Sequence, residues 1–453
     1  MSKEKVGQQK TWSVGTLTYT FGGLVVLFAW LIGGDFLENM KERGMTPVLQ
    51  LLLRRFEASN FLIGLLLGSL PTAIGMLIAP IVCMKSDRLR SRWGRRIPFL
   101  GIPLPISVLS MIGIAFAPAL GALIHEVLGP SSPGLNMCSL LVFIAMWSIY
   151  DIASTVSTSV FGGLVNDVVP QAVIGRFYAF FRAGSLLMGM IYNYFLIGSA
   201  ETHFFWQLIA MALLYGLGYG AICLKVKEGT YPPPEVLPAG PLGSFSSAFR
   251  TYVKECFSQP YYVLFFAART LGQLVFTPFN AFVIFYAKSI GLSLEVYGKV
   301  IAGTFLISFF LTYFIGVLAD KFHPLRVGIV CLFIYLPFAF FGGFFAKTVP
   351  VFLVVFVAHQ VLSGAYMTAT ASLQQRMLPR DRFGQFSSAG GLFTSLGFMI
   401  TQPLVGLVLD LTGQVYRQTL LINAGIGLAA LTLLVLVYFR WKKLGGDKAY
   451  VAP

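Results

Sequence analysis

Twelve long apolar runs, separated by short polar stretches, organise this chain. They fall at about 13–36, 60–84, 97–119, 137–161, 177–198, 204–224, 261–287, 297–319, 326–346, 350–373, 386–409 and 417–440. Each is about as long as the roughly 20 residues a helix needs to cross the hydrocarbon core of a bilayer. A helix also satisfies its own backbone hydrogen bonds, as lipid requires of any spanning segment, and Gly and Pro within such runs are normal. The pattern predicts an all-α membrane protein with twelve transmembrane helices. The first run has no cleavage site after it and reads as a retained span rather than a signal peptide.

The polar stretches are unequal. Between the second and third runs lies Ser86-Asp87-Arg88-Leu89-Arg90-Ser91-Arg92-Trp93-Gly94-Arg95-Arg96, with five arginines. Lys and Arg gather in every second connection, so both termini are expected on the cytoplasmic side of the plasma (inner) membrane. The longest connection, 225–260, contains Tyr231-Pro-Pro-Pro-Glu235 and Pro238-Ala-Gly-Pro241, which cannot continue a helix. Ser244 to Ser258 is expected as a short amphipathic helix on the membrane surface. The chain thus reads as a six-helix bundle over 1–224, a cytoplasmic connector over 225–260, and a second six-helix bundle with a short cytoplasmic tail over 261–453.

The halves repeat one another. Gly316-Val-Leu-Ala-Asp320-Lys-Phe-His-Pro-Leu-Arg326 follows the eighth run as Ser86-Asp87-Arg88 follows the second. Val169-Pro170-Gln-Ala-Val-Ile-Gly175-Arg-Phe177 and Leu378-Pro379-Arg-Asp-Arg-Phe-Gly384-Gln-Phe386 keep Pro, Gly and Phe at identical spacing. Two matches at equivalent places argue for a duplicated six-helix unit, so the bundles are expected to be pseudo-symmetric.

Composition agrees. Charged residues are 11% of the chain and hydrophobic residues 56%, against about 25% charge in a soluble domain. The net charge of +15 resides in short loops, where topology explains it, so nucleic acid is not an expected partner. The five cysteines are scattered, with no pairing or metal-ligand spacing. No Walker loop, dinucleotide turn, His-Glu-x-x-His or Ser-His-Asp constellation occurs, so neither ATP-driven transport nor catalysis is expected, and no cofactor.

The paired Asp loops after the second and eighth runs resemble the signature of the major facilitator superfamily. Ser-Asp-Arg-x-x-Ser-Arg-Trp-Gly-Arg-Arg-x-Pro-Phe at 86–99 is similar to the glycoside–pentoside–hexuronide:cation symporters and the related sucrose–proton symporters. The resemblance runs from Trp12 to about Trp441. It implies two six-helix bundles around a site near the membrane midplane, and symport of a sugar or glycoside. Tyr150-Asp151-Ile152 matches the start of the Asp-Ile-Pro segment of the melibiose-type members, with Ala153 in place of Pro. Arg182 is the nearest match to their sugar-site arginine. Their two sodium-ligating acids fall near Gly75 and Ala79, so the resemblance points to a proton rather than sodium as coupling ion. Lysolipid symporters share this wider group, which leaves an amphiphile as the alternative solute. A non-transporting receptor with this fold is a further alternative. A monomer is expected.

Ionisable residues within apolar runs are expensive and must face protein or water. Asp151 shares a helical stripe with Trp147, Ser154, Thr155, Thr158 and Gly162. It is the expected proton carrier, tuned by Arg182. In the seventh run Arg269, Gln273, Thr277 and Asn280 form one polar face, and Pro278 is expected to bend the helix. Arg269, Gln273, Asn280 and Gln360 are expected to hold solute hydroxyls, and Trp30, on one face with Tyr19, to lie under a sugar ring. His359 is a second candidate for proton coupling. Asp35 and Glu38 are read as pairing with Lys41 or Arg43 in a wet outer loop. Asp87, Arg88, Arg95, Asp320 and Arg326 are expected as gating residues, the two acids capping neighbouring helix N-termini and pairing with arginines.

Overall fold

The computed structural model describes residues 11–233, 250, 252–380 and 382–453. Residues 234–249 and 251 of the 225–260 connector lie outside the described residues, and with them the first part of the amphipathic helix expected over 244–258; residues 252–257 are helical, with Val253, Lys254 and Glu255 exposed and Cys256 buried. A small hairpin, β1 (Trp12–Val14) paired antiparallel with β2 (Leu17–Tyr19), precedes the helices. Among the described residues, twelve helices are long and apolar enough to cross a membrane: α1 Phe21–Arg55, α2 Asn60–Arg88, α3 Ile97–Ala115, α4 Leu135–Val168, α5 Ile174–Ser199, α6 Phe204–Lys225, α7 Pro260–Ser289, α8 Leu294–Phe322, α9 Pro324–Phe345, α10 Val349–Met377, α11 Phe383–Leu411 and α12 Gln418–Lys443. The chain is a multi-pass membrane protein. Large apolar side chains such as Phe310, Tyr313 and Phe314 on α8 are exposed, a surface that suits lipid and not water.

The first helix differs most from its expected extent. Residues 12–19 form the hairpin, so Tyr19 lies on a strand and shares no helical face with Trp30. The helix then continues for 35 residues, about 50 Å at 1.5 Å per residue. Asp35, Glu38 and Lys41 are therefore in mid-helix and buried, and no wet loop surrounds them. Inside α7 the helix is interrupted between Leu274 and Thr277, where Pro278 lacks the amide that would bond back to residue 274.

The chain divides into two compact units. One contains residues 1–57, 74–192 and 200–236; the other contains 58–73, 193–199 and 237–453. In the first, α1 packs along α5 and α6, and α3 along α4 and α6. Gly44 lets α1 come close, for a Cβ there would lie 2.4 Å from the Met211 sulfur and 2.8 Å from the Tyr192 ring. In the second, α7 packs on α11 and α12, and α9 on α10 and α12, while the first residues of α2 lie along α11. The repeated Pro-Gly-Phe segments precede or open α5 and α11, and their phenylalanines are core residues of their own units: Phe177 is 0% exposed and Phe386 2%.

Candidate functional site

The first unit carries a charged cluster built on the middle of α1. Glu38 and Lys41 are one helical turn apart and form an ion pair at 2.7 Å, with Glu38 5% and Lys41 1% exposed. The Lys41 ammonium also donates to Ser154 Oγ on α4 at 3.2 Å. It lies 4.2 Å from the centroid of the Tyr215 ring on α6 and 5.4 Å from that of Tyr150 on α4. The Tyr150 ring stacks on Trp147 at 5.3 Å. Each of the ammonium's neighbours thus carries negative charge, a lone pair or a π face, which is how a cation is kept inside low-dielectric packing.

A second strand of the cluster runs from α1 to α5. Asn39 donates through Nδ2 to the Asp35 carboxylate at 2.9 Å, and its Oδ1 accepts from Ser185 Oγ at 2.6 Å. Asp151 lies on α4 one turn before Ser154 and is 8% exposed. Its compensating positive charge comes from Lys41. The expected partner does not supply it: Arg182 is exposed on α5, has no hydrogen bond or ion pair among the described residues, and feels the charge of Arg43. Arg182 shares a helix face with Ser185, but Ser185 is committed to Asn39. One buried oxygen of Glu38 and one of Asp151 have no hydrogen-bond partner. A buried carboxylate oxygen without a donor calls for a proton of its own or a donor brought by a ligand.

The second unit holds a neutral polar relay. Asn423 Nδ2 donates to Tyr335 Oη at 2.8 Å, Tyr335 donates to His359 Nδ1 at 2.9 Å, and His359 Nε2 donates to Asn280 Oδ1 at 3.1 Å. Gln360 also donates to Asn280 Oδ1, at 3.3 Å. Both imidazole nitrogens are satisfied with a single ring proton, and His359 is fully buried. The polar face of α7 divides between two neighbours. Asn280 belongs to this relay on α10, whereas Arg269 donates to Thr394 Oγ1 on α11 at 3.1 Å. Gln273 is half-buried between them, and Trp30 is partly exposed on α1.

The loop residues pair within their own units. Arg96 binds Asp87 and also Asp167, and Arg95 Nε donates to Asp167 Oδ2 at 2.9 Å. That hydrogen bond pushes the Arg95 pKa above its ordinary value. Arg88 is exposed and has no ion pair among the described residues. The acid on the α3 N-terminus is Glu228, not Asp87: it accepts from the amides of Arg95, Arg96 and Ile97 at 3.0, 2.8 and 2.8 Å. In the second unit Asp320 accepts from Arg376 at 2.6 Å, and Arg326 pairs with Asp447 at 2.7 Å rather than with Asp320.

The sequence reading named Asp151 but missed Glu38 and Lys41 as membrane-buried partners. A signal was present. Asp35, Glu38 and Lys41 are spaced at i, i+3 and i+6, one stripe of a helix, and a second apolar run from Met45 to Leu53 follows them.

Comparison with known proteins bears on the whole arrangement. A family model described as Major Facilitator Superfamily matches residues 265–448, which span α7 to α12. No curated protein sequence matches the chain. A bacterial homolog to the human lysosomal transporter Spinster, in an inward-facing and unoccupied conformation, superposes with a TM-score of 0.67 at 15% identity, over 92% of this chain and 98% of that one. The nucleoside transporter NupG gives 0.63 at 12% identity, over 91% and 99%. A D-xylose–proton symporter gives 0.62 at 13% identity, over 90% and 96%. The fold is that of the major facilitator superfamily. At these identities the likeness carries the fold alone, and the solutes named for these proteins differ.

Proposed function

We propose that this chain is a secondary active transporter that moves a sugar or glycoside together with protons by alternating access. The observation that carries the reading is the buried Glu38–Lys41 pair with Asp151 beside it, each acid keeping one oxygen unsatisfied. Stability alone gives little reason to retain such a cluster, because apolar side chains of similar volume usually do as well or better. Asp151 carries the proton, with Glu38 as the second acid and Lys41 in the tuning role first assigned to Arg182. Arg182, Arg269, Gln273, Asn280, Gln360 and Trp30 are the proposed solute contacts, and the Asp87–Arg96 and Asp320–Arg376 pairs the proposed gating contacts. The distribution of Lys and Arg supports both termini on the cytoplasmic side of the plasma membrane. A potential of 100 mV then supplies about 2.3 kcal/mol per charge carried inward.

A ligand-stabilisation screen tests the reading. The purified chain is melted with mono- and disaccharides, nucleosides and lysolipids at pH 6 and pH 8, with and without sodium. The proposal expects stabilisation by a sugar, dependent on pH and indifferent to sodium. Stabilisation by none of the sugars, or only in sodium, refutes it.

An amphiphile as solute has one observation of its own. In the second unit a cleft of about 750 Å³ between α8, α9 and α10 is lined only by apolar side chains, among them Ile307, Ile334, Phe338, Leu353 and Val361. Stabilisation by lysolipid and not by sugar is the outcome that selects this reading.

A further inference from the structure

The α2–α3 loop holds more positive charge than its acids neutralise. Arg95 and Arg96 are engaged by Asp167 and Asp87. Among the described residues neither Arg90 nor Arg92 meets a carboxylate, and neither does Lys227 after α6. These three cations line one pocket of about 600 Å³, formed by residues 90–94 and by residues around 223–231. The single carboxylate in its wall, Glu228, is already occupied by three backbone amides and by the Tyr231 hydroxyl at 2.9 Å.

The pocket is built, not merely charged. Ser91 Oγ donates to the Gly94 carbonyl at 2.6 Å and accepts from the Trp93 amide at 3.2 Å, closing the turn. Gly94 has φ +101°, and a Cβ there would lie 2.4 Å from the Glu228 carboxylate. Arg90 is fixed by three carbonyls: Nε donates to Pro232 at 2.8 Å, and Nη1 to Asp87 at 2.7 Å and Leu89 at 2.9 Å. Its Nη2 hydrogens stay available to a further acceptor. The rim is apolar. Leu224, in the last turn of α6, is 81% exposed, and Trp93 is 58% exposed with Arg92 over its ring at 5.0 Å.

We propose that this pocket binds the headgroup of an anionic phospholipid, with the phosphodiester held by Arg90, Arg92 and Lys227. A guanidinium fork matches two phosphate oxygens at once, and Lys adds a point charge. Trp93 is exposed in the connection between two membrane-spanning helices, and indole is favoured at headgroup depth. The acyl chains run along Leu224 at the end of α6. A soluble phosphate ester satisfies the cations equally well but leaves Leu224 and Trp93 without a partner, which is why the lipid is preferred.

The test is native mass spectrometry of the full chain released from detergent containing equal parts phosphatidylglycerol and phosphatidylcholine. The wild-type chain is expected to retain phosphatidylglycerol selectively. Replacing Arg90, Arg92 and Lys227 together by Gln lowers its retention about fivefold per charge, on the order of a hundredfold in all. Replacing the exposed Arg176 and Arg380 by Gln leaves the preference intact. Leu224→Ser weakens phosphatidylglycerol retention and leaves binding of glycerol 3-phosphate unchanged. Equal retention of the two lipids by the wild-type chain overturns the proposal without recourse to any variant. A preference that survives the triple substitution also overturns it, as does glycerol 3-phosphate binding as tightly as the lipid.

Discussion

Lys41→Met removes the cation from a pair whose members are 5% and 1% exposed and 2.7 Å apart. In the native chain the attraction between the two charges is largely offset by the loss of water around them, so the pair as a whole adds little stability. Breaking it is another matter. Glu38 is left buried with no compensating cation, at a cost of about 3–5 kcal/mol. Glu38→Gln leaves Lys41 in the same position and is expected to cost a similar amount. The double variant Glu38→Gln, Lys41→Met keeps the volumes and removes both charges, so it is expected within about 1 kcal/mol of wild type or above it. The implied coupling is at least about 5 kcal/mol, above the usual range for residues in contact. Denaturant unfolding of the four chains in detergent, followed by tryptophan fluorescence, measures it. Single variants that cost under about 1 kcal/mol refute the burial argument. A double variant equal to the sum of its singles refutes the pairing.

Three further expectations follow from the geometry. Gly406→Ala places a Cβ 2.2 Å from the Asn60 carbonyl oxygen, so overpacking should cost about 1–3 kcal/mol. A rise in melting temperature, as Gly→Ala gives in an open helix, contradicts that close approach. Tyr335→Phe leaves Asn423 Nδ2 and His359 Nδ1 each short of a partner and should cost on the order of 2 kcal/mol by the same unfolding assay, an unchanged midpoint denying the relay. His323, in the turn between α8 and α9, accepts from the Leu325 amide, and burial followed by the Arg376 charge holds its pKa down to about 4. The unfolded chain therefore binds this proton first as pH falls. The contribution is complete above about pH 6.5 and is lost toward pH 4, with a slope of at most about 1.4 kcal/mol per pH unit. His323→Gln should flatten the stability profile in that window, and an unaltered profile removes the assignment.

Much of this architecture was legible from hydropathy. Ten of the twelve apolar runs correspond to helices displaced by no more than four residues at either end, and the fourth helix runs seven residues beyond its expected end, because lipid leaves a spanning segment little choice but helix. The first run failed for a physical reason. A hydropathy window stops at Asp35, but a helix needs its polar groups satisfied, not absent, and Glu38, Lys41 and Ser154 satisfy one another across α1 and α4. The hairpin before it escaped notice because strands of three residues leave almost no period to read. Asp151, Asn280, His359 and Gln360 stood out because charge, imidazole and amide are rare in apolar runs, whereas Tyr335 and Asn423 of the same relay did not. Nor did the partner of Asp151, since partnership depends on which helices pack together. Arg182 was the expected counter-charge for Asp151 because Lys41 was read into an outer loop, and only the continuation of α1 through Lys41 brings that ammonium to α4. Glu228 was invisible for the same reason: it lies more than 130 residues from the amides it caps.

Glu38, Lys41 and Asp151 are the proposed coupling site. Proteoliposomes carrying wild type, Asp151→Asn or Glu38→Gln, loaded with the sugar that best stabilises the chain, test it under an imposed pH gradient. Wild type is expected to accumulate the sugar against its gradient, while both variants still exchange labelled sugar across the membrane and accumulate none. Accumulation at the wild-type level by both variants contradicts it.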